Sequence, residues 1–515
     1  MSAIARDRGR EGAGEAVSSA GPAGRARPNV LFVTVDQWPG HLLGCAGHSV
    51  IETPTIDQLA RIGTRYTQAY AACPICIPAR RSIMTGSSPK THGDRIFQPA
   101  LPMPAGLPTL AQCFRDGGYQ ATAVGKLHVY PQRDRIGFDD VLLAEEGRDH
   151  FGIDDYEMFL ADRGHPGRQF MHGMSNNEYS WRTWHLPEEL HVTNWTTWAG
   201  ARTIKRRDPT RPGLWHVSYT HPHPPLVPLA SYFDRYRTRD VQASSVGEWA
   251  KEPADLPHAV RLAREFWEEL PPDRLADAKR AVYALCTHID HQLRILIGTL
   301  REEGILDDTI ILFCSDHGDM LGDHGLYAKR LMYESSAKVP MILVGPARSN
   351  AVRPGGTDDR LVELQDIMPT LLDMCGLTVP DTCEGLSMIG SRRRDMLYCE
   401  SLTGAKATRM VRDGRFKLIW YPAGNRLQLF DLADDPSELH NLAADEGTAP
   451  VRERLVSALI AQLYGDDLAW VESGRLVGMP VPPFDVAPNR DLSGQRGLHY
   501  PQIPASDPAR VVGTA

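Results

Sequence analysis

No run of apolar residues in this chain approaches the roughly 18 needed to span a bilayer as a helix. Nor does it carry an excess of basic charge: the formal net charge is −8. A nucleic-acid binder usually shows the opposite sign, so neither a membrane nor a nucleic acid is the expected partner. The opening residues 1–28 are rich in Gly, Ala and Arg and contain no apolar stretch. They read as a disordered tail rather than a secretory signal, and the chain as cytoplasmic. Cysteines number nine, an odd count spread over 515 residues, which fits reduced thiols better than a disulfide framework. Cys73-Pro-Ile-Cys76 has no second C-x-x-C to complete a zinc site, and there is no internal repeat.

The rest of the composition is that of an ordinary globular protein, 42% hydrophobic and 23% charged. The length suggests a large domain with a smaller one appended. Asn29–Val35 is a nearly continuous β-branched and apolar run, the pattern of a strand buried on both faces, and it ends at Asp36. Three more runs behave alike. Gln120–Val124 leads into Gly125-Lys126-Leu127-His128, Leu214–Tyr219 into His221-Pro222-His223, and Asp308–Cys314 into Ser315-Asp316-His317. In open α/β sheets ligands bind just past such strand ends. Helical spacing over Leu275–Glu303, and again over Arg360–Cys375 with Pro369 interrupting, predicts helices between strands, hence an α/β sandwich over residues 29–385. From 386 to 465 the pattern becomes a small antiparallel sheet with one helix: strands around a turn at Asp413-Gly414, another at Leu427–Asp431, and a helix over Val451–Leu463. Residues 466–515 lack any period and read as an extended tail over the body or a neighbouring subunit, which leaves a homo-oligomer open.

Cys76 sits in Cys76-x-Pro78-x-Arg80-x-x-x-Met84-Thr85-Gly86. By spacing alone Cys73 and Cys76 could be a redox pair, half of a zinc site or buried structural thiols. The longer pattern resembles the sulfatase signature, in which the cysteine is oxidised to formylglycine; Met84 stands where Leu is usual. The resemblance runs from Asn29 to about Leu442, through the Gly-Lys-x-His and Pro-His-x-Pro segments and Ser315-Asp-His-Gly-Asp-Met-Leu-Gly-Asp-His-Gly325. It implies an alkaline-phosphatase-like sandwich and a sulfuric ester hydrolase acting on an aryl or small alkyl sulfate.

The chemistry explains the residue types. Sulfate esters repel anionic nucleophiles and develop charge on the leaving oxygen, so the site needs fixed positive charge and an activated nucleophile. Formylglycine hydrates to a geminal diol with one hydroxyl for attack and another to expel sulfate. The resemblance implies that Asp36, Asp316, His317 and residue 76 hold one divalent cation. Oxygen-rich ligation favours Ca²⁺, with Mn²⁺ or Mg²⁺ as alternatives. His317 and Gln37 replace the family's more frequent Asn and Asp, as in choline sulfatases and phosphonate monoester hydrolases. A helix N-cap is the plain alternative for Asp36.

Arg80 is expected to hold the formylglycine, although neighbouring Arg81 competes by charge. Lys126 and His128 would share one face of an extended segment and grip one oxyanion. By the resemblance, His223 and Lys329 lie near the leaving or sulfate oxygens, and Asp323 and His324 behind the metal ligands. His288, Asp290 and His291 read as packing or surface groups. Trp181, Trp184, Trp195 and Trp198 could line a substrate pocket or be core. A formylglycine-generating enzyme is the implied transient partner. The alternative activity is phosphonate monoester or phosphodiester hydrolysis on the same fold.

Overall fold

The computed structural model describes residues 27–146, 154–174, 177–267 and 270–484. The expected N-terminal tail therefore lies almost wholly outside the described residues, as does the expected C-terminal tail beyond 484.

The larger sheet has eight strands: β1 (Asn29–Asp36), β2 (Thr64–Tyr70), β3 (Gln120–Gly125), β4 (Asp140–Leu143), β5 (Gly213–Pro222), β6 (Thr309–Ser315), β7 (Met341–Val344) and β8 (Gly356–Glu363). Their spatial order is β4-β3-β5-β1-β6-β7-β2-β8. Neighbours pair in parallel except β7, which is antiparallel to both β6 and β2. The sheet is mixed and mostly parallel, as the alternation of strand and helix patterns predicts.

β1 shows why apolar residues run on without a polar partner between them. Val30 and Phe32 enter one core, while Leu31, Val33 and Val35 enter the other. On the first face lie α2 (Cys76–Thr85) and α5 (Ile367–Met374); on the second lie α1 (Pro54–Ile62) and the 31-residue α4 (Pro272–Glu302). A further helix, α3 (Val192–Lys205), packs against β5 and α4. Helices cover both faces, so a strand without alternation is what burial requires.

The expected helix over Arg360–Cys375 is corrected. Arg360 belongs to β8, a 3-10 turn follows at Leu364–Asp366, and only then does α5 begin. Pro369 sits in the first turn of α5, where its missing N–H leaves no intrahelical bond unmade.

A second sheet of four antiparallel strands follows: β9 (Leu397–Ser401), β10 (Thr408–Arg412), β11 (Phe416–Tyr421) and β12 (Arg426–Asp431), in the order β12-β11-β10-β9. Its two faces are sorted by period-2 alternation. Leu418 and Trp420 pack under α6 (Ala449–Gln462), while Ile419 and Tyr421 pack on Met320, Leu326, Met332 and Tyr333 of the loop that follows β6. The small sheet is thus the backing of that loop. Lys417, fully buried, fastens the two together through Glu334 at 2.6 Å, Glu438 at 2.8 Å and the Met332 carbonyl at 3.0 Å. The stretch expected to run on as an extended tail from 466 begins instead with a 3-10 helix, Gly465–Trp470, and a two-stranded hairpin closed by Val471 and Leu476. Buried Asp467 anchors it, taking bonds from Arg409 at 2.7 Å and Arg95 at 2.8 Å.

Candidate active site

β1 ends in Asp36, and β6 hands over directly to Asp316 and His317. The two strands are neighbours with Val35 opposite Ser315, so their carboxylates leave the sheet side by side. α2 opens at Cys76, which places residue 76 at the positive end of a helix dipole. Gly86 ends the helix in the left-handed region at φ 64°, where a Cβ would lie 2.4 Å from the Cys383 sulfur.

Cys76 Sγ is 3.1 Å from His317 Nε2 and 3.8 Å from Asp36 Oδ1. His317 Nε2 is in turn 3.6 Å from Asp36 and 3.7 Å from Asp316. One ligand atom from each of Asp36, Cys76, Asp316 and His317 lies within 4.8 Å of all the others, and all four residues are buried. His317 Nδ1 faces the Gly318 carbonyl at 2.9 Å, so that nitrogen donates and Nε2 is the one turned to the cluster. Burial opposes charge on His317, yet Asp316 and Cys76 raise it to about 9. Burial likewise opposes ionisation of Asp36, but the charges of Lys126 and Arg80 hold it well below the usual carboxylate range. The cluster draws positive charge to its centre, as a group that can hold a metal ion must.

Arg80, one turn into α2, lies beneath the carboxylates. Its Nε donates to Asp316 at 2.9 Å, and one terminal nitrogen donates to the Lys126 carbonyl at 2.7 Å and Ser218 Oγ at 2.9 Å. The other stands 3.5 Å from Asp36. Arg81 turns away to Asp94 at 3.3 Å and the Pro102 carbonyl at 2.8 Å. Direction separates two arginines that charge alone could not.

β3 ends at Gly125, whose φ of 101° no side chain tolerates here: a Cβ would sit 1.9 Å from the Ser218 carbonyl. The chain then delivers fully buried Lys126, whose Nζ pairs with Asp36 and with Glu146 at 2.8 Å. The segment carrying Lys126 and His128, expected to be extended, is bent. The backbone N–H groups of Leu127 and His128 both donate to Glu145 Oε1, at 2.7 and 2.9 Å. Two successive donors on one acceptor require a bend rather than an extended chain, and His128 accordingly has φ 60°. Its ring meets Phe97 edge-on at 5.7 Å, and both ring nitrogens are buried without a hydrogen-bond partner among the described residues.

Lys329 Nζ donates to Gln37 Oε1 and to His223 Nε2, each at 2.7 Å. His223 Nδ1 donates to the Pro224 carbonyl at 2.7 Å. Burial and the Lys329 charge keep His223 well below its ordinary value, so its imidazole is neutral. His221 points elsewhere, with Nδ1 at the His223 carbonyl, 3.1 Å away.

Several residues meet the site without having stood out in the sequence. Glu145 and Glu146 follow β4 at the same sheet edge, and burial pushes Glu145 up to about 8. Gln37 also donates to Tyr179 at 3.0 Å and Asp319 at 2.8 Å. The signal for Asp319 was its place three residues beyond Asp316; for the Glu pair there was only a strand end.

Other expectations separate cleanly. Cys73 is fully buried and outside the cluster, and the nine cysteines are free thiols. Asp323 and His324 brace the loop instead of touching the ligand group: Asp323 accepts from Ser335 Oγ at 2.6 Å and Ser245 N at 2.9 Å, and His324 accepts from Gly247 N at 3.1 Å. Asp290 accepts from the Thr55 and Ile56 N–H groups, His288 is buried, and His291 meets Tyr232 OH at 3.1 Å. Of the four tryptophans, Trp184 lines a cleft with Glu146, His172, His221 and His223. Trp195 is core, Trp181 stacks on Phe233 at 3.8 Å, and Trp198 is 46% exposed.

Comparison with known proteins agrees with this geometry. Residues 28–377 match the Sulfatase family model, and residues 322–464 match the model of the N-sulphoglucosamine sulphohydrolase C-terminal region. An arylsulfatase of Clostridium perfringens is 35% identical over 476 residues, covering 88% of this chain and 98% of that protein. A choline-sulfatase of Rhizobium meliloti is 29% identical over 453 residues, with 84% and 85% covered. Among solved structures, the phosphonate monoester hydrolase of Agrobacterium radiobacter superposes with a TM-score of 0.75 at 27% identity, covering 87% of this chain and 98% of that one. The chain therefore belongs to the sulfatase family, within the alkaline-phosphatase superfamily, and is a sulfuric ester hydrolase.

Proposed function

We propose that this enzyme cleaves sulfate monoesters of aryl or small alkyl alcohols to the alcohol and inorganic sulfate, with residue 76 working as formylglycine. One divalent cation is held by Asp36, Asp316, His317 and residue 76. The observation that carries the reading is the convergence of the Cys76 sulfur with two carboxylates and an imidazole within 4.8 Å, in a Cys-x-Pro-x-Arg context. That sulfur stands in for a formylglycine oxygen. Two carboxylates, one imidazole and an oxygen fit Ca²⁺, Mn²⁺ or Mg²⁺. When bound, the cation supplies a Lewis acid and makes a hydroxyl nucleophilic near neutral pH. The hydrated aldehyde supplies two hydroxyls on one carbon, one to attack sulfur and one to release sulfate.

The chain's own groups do the rest. Arg80 bridges both carboxylates and fixes their spacing. Lys126, beside Asp36, and His128, with its unpartnered nitrogens, are the donors for sulfate oxygens. Lys329 is the proton donor to the leaving oxygen, because its two hydrogen-bond partners, Gln37 and His223, are neutral and leave its charge unspent. His223 orients that ammonium; with Nε2 accepting, it has no proton there to give.

Intact-mass measurement tests the nucleophile. Formylglycine lowers the mass by about 18 Da, a disulfide by about 2 Da. A formylglycine-generating enzyme is the transient partner this modification calls for. Cys76→Ala should abolish turnover of 4-nitrophenyl sulfate with the melting temperature retained, and an active Cys76→Ala protein would refute the assignment. Undiminished turnover after exhaustive chelation would remove the cation from it. Phosphonate monoester or phosphodiester hydrolysis is the second reading, favoured by the likeness to the Agrobacterium hydrolase. Relative kcat/KM on matched aryl sulfate and aryl phosphonate esters decides between them.

A further inference from the structure

The loop after β6 holds four non-glycine residues in the left-handed region: Leu321 (φ 44°), His324 (56°), Ala328 (59°) and Arg330 (89°). Each such residue is strained and persists only where its surroundings enforce it. Two of them bracket Lys329. The Ala328 N–H is held by Tyr179 Oη at 2.9 Å, and the Arg330 N–H by the Pro74 carbonyl at 3.0 Å. The second bond ties Arg330 to the segment that runs into Cys76.

Arg330 differs from the rest of the site in two respects. The floor is buried, with Cys76 at 4% exposure, Lys126 at 0%, His223 at 5% and Lys329 at 4%; Arg330 is partly exposed. Arg80 and Arg81 are both ion-paired. The Arg330 guanidinium has neither a hydrogen bond nor an ion pair among the described residues, and the group that favours its charge is Cys76. Crowding by the protein brings it down to about 10, so it stays charged at neutral pH.

Counting charges places it. Arg80 and Lys126 together face three carboxylates, Asp36, Asp316 and Glu146, and the divalent cation proposed for this site turns that balance positive. Lys329 has neutral partners, so its ammonium and the cation already cover the single negative charge of a sulfate monoester. Arg330 is then surplus to the reacting group, and it is the partly exposed neighbour of buried Lys329. A planar guanidinium that is partly desolvated and unpaired suits a bidentate oxyanion.

We infer that Arg330 recognises a second anionic group, a carboxylate or sulfonate-like oxyanion, carried on the leaving group of the sulfate ester. The inference rests on the sulfatase reading above and narrows its substrates to sulfate esters of acidic alcohols or phenols. The test compares phenyl sulfate with its 3-carboxy and 3-sulfonate derivatives in the wild type, Arg330→Gln and Arg330→Lys. The wild type should prefer the anionic esters, mainly through KM, with the preference shrinking as ionic strength rises. Arg330→Gln should lower kcat/KM for the anionic esters about ten- to a hundredfold more than for phenyl sulfate, as expected for a charge-assisted hydrogen bond. Arg330→Lys should recover part of that loss. Equal losses on all three esters would overturn the inference, as would a wild type that hydrolyses phenyl sulfate with no preference for the anionic esters; the latter needs no variant to fold. Failure to hydrolyse any of the esters would instead bring down the sulfatase reading and this inference with it.

Discussion

Lys329 is poised by geometry rather than by a counter-charge: a carboxamide oxygen and an imidazole nitrogen hold its ammonium, each at 2.7 Å. Lys329→Met should lower kcat about a hundred- to a thousandfold, the usual loss when one preorganised charge leaves the transition state. The loss should grow with leaving-group pKa across a series of aryl sulfates; a loss independent of the leaving group would assign Lys329 to the sulfate instead. His317→Ala removes one ligand and leaves two carboxylates, so metal content measured by elemental analysis should fall well below one ion per chain. The residues carrying these predictions were legible because each stands at a strand end or inside a dense motif: Asp36, Cys76, Asp316, His317. Glu145 and Glu146 were not. Two adjacent acids on a chain look like a solvated surface, and only the bend that aims Leu127 and His128 N–H groups at Glu145 shows otherwise. The same bend defeated the expectation of an extended chain from Lys126 to His128.

At the scale of elements, side chains from distant segments finish the helix ends. The Asp290 carboxylate, on α4, accepts the Thr55 and Ile56 N–H groups at 3.0 and 2.8 Å in the first turn of α1. Asp290→Ala should cost about 2 kcal/mol, by loss of a cap and exposure of unsatisfied donors, with Asp290→Asn costing less. Urea midpoints measure both, and equal midpoints for wild type and Asp290→Ala would show that the cap contributes nothing. Strand and helix periods were readable wherever an element is buried in a simple way, as in β1, β6 and α4. They misled at residues 360–375, where β8 and α5 are joined by a single 3-10 turn. An apolar stretch shared by a strand and a helix mimics one longer helix. The hairpin after Trp470 left no period because each of its strands is two residues long.

Taken whole, the molecule buries many neutral imidazoles. Burial takes His92, His216 and His288 down to about 3, while Glu363 and Glu438 are pushed up to about 7. The two sets act in opposite senses. A buried histidine resists protonation in the folded state, so each stabilises fully above pH 6.5 and loses that contribution as pH falls from 6.5 to about 3. A raised carboxylate binds its proton more readily when folded and so adds stability as pH falls from about 7 to 4.5. Histidines depressed this way also include His48, His172, His221 and His324, each to about 4. They outnumber the raised carboxylates, so stability should decline on acidification from pH 6.5 to 4, each deeply buried histidine contributing about 1 kcal/mol per pH unit and the more exposed His48 less. Thermal melting over that range checks the sign, and His288→Gln should flatten the slope. The sheet order has a last consequence, for biosynthesis. β1 is the earliest strand yet lies in the middle of the sheet, with Asn29 opposite Thr309 on one edge and Val30 opposite Leu214 on the other. At roughly 5–20 residues per second on the ribosome, a sticky strand waits tens of seconds for both neighbours to be translated. Soluble yield should therefore depend on whatever shelters the nascent chain during that delay.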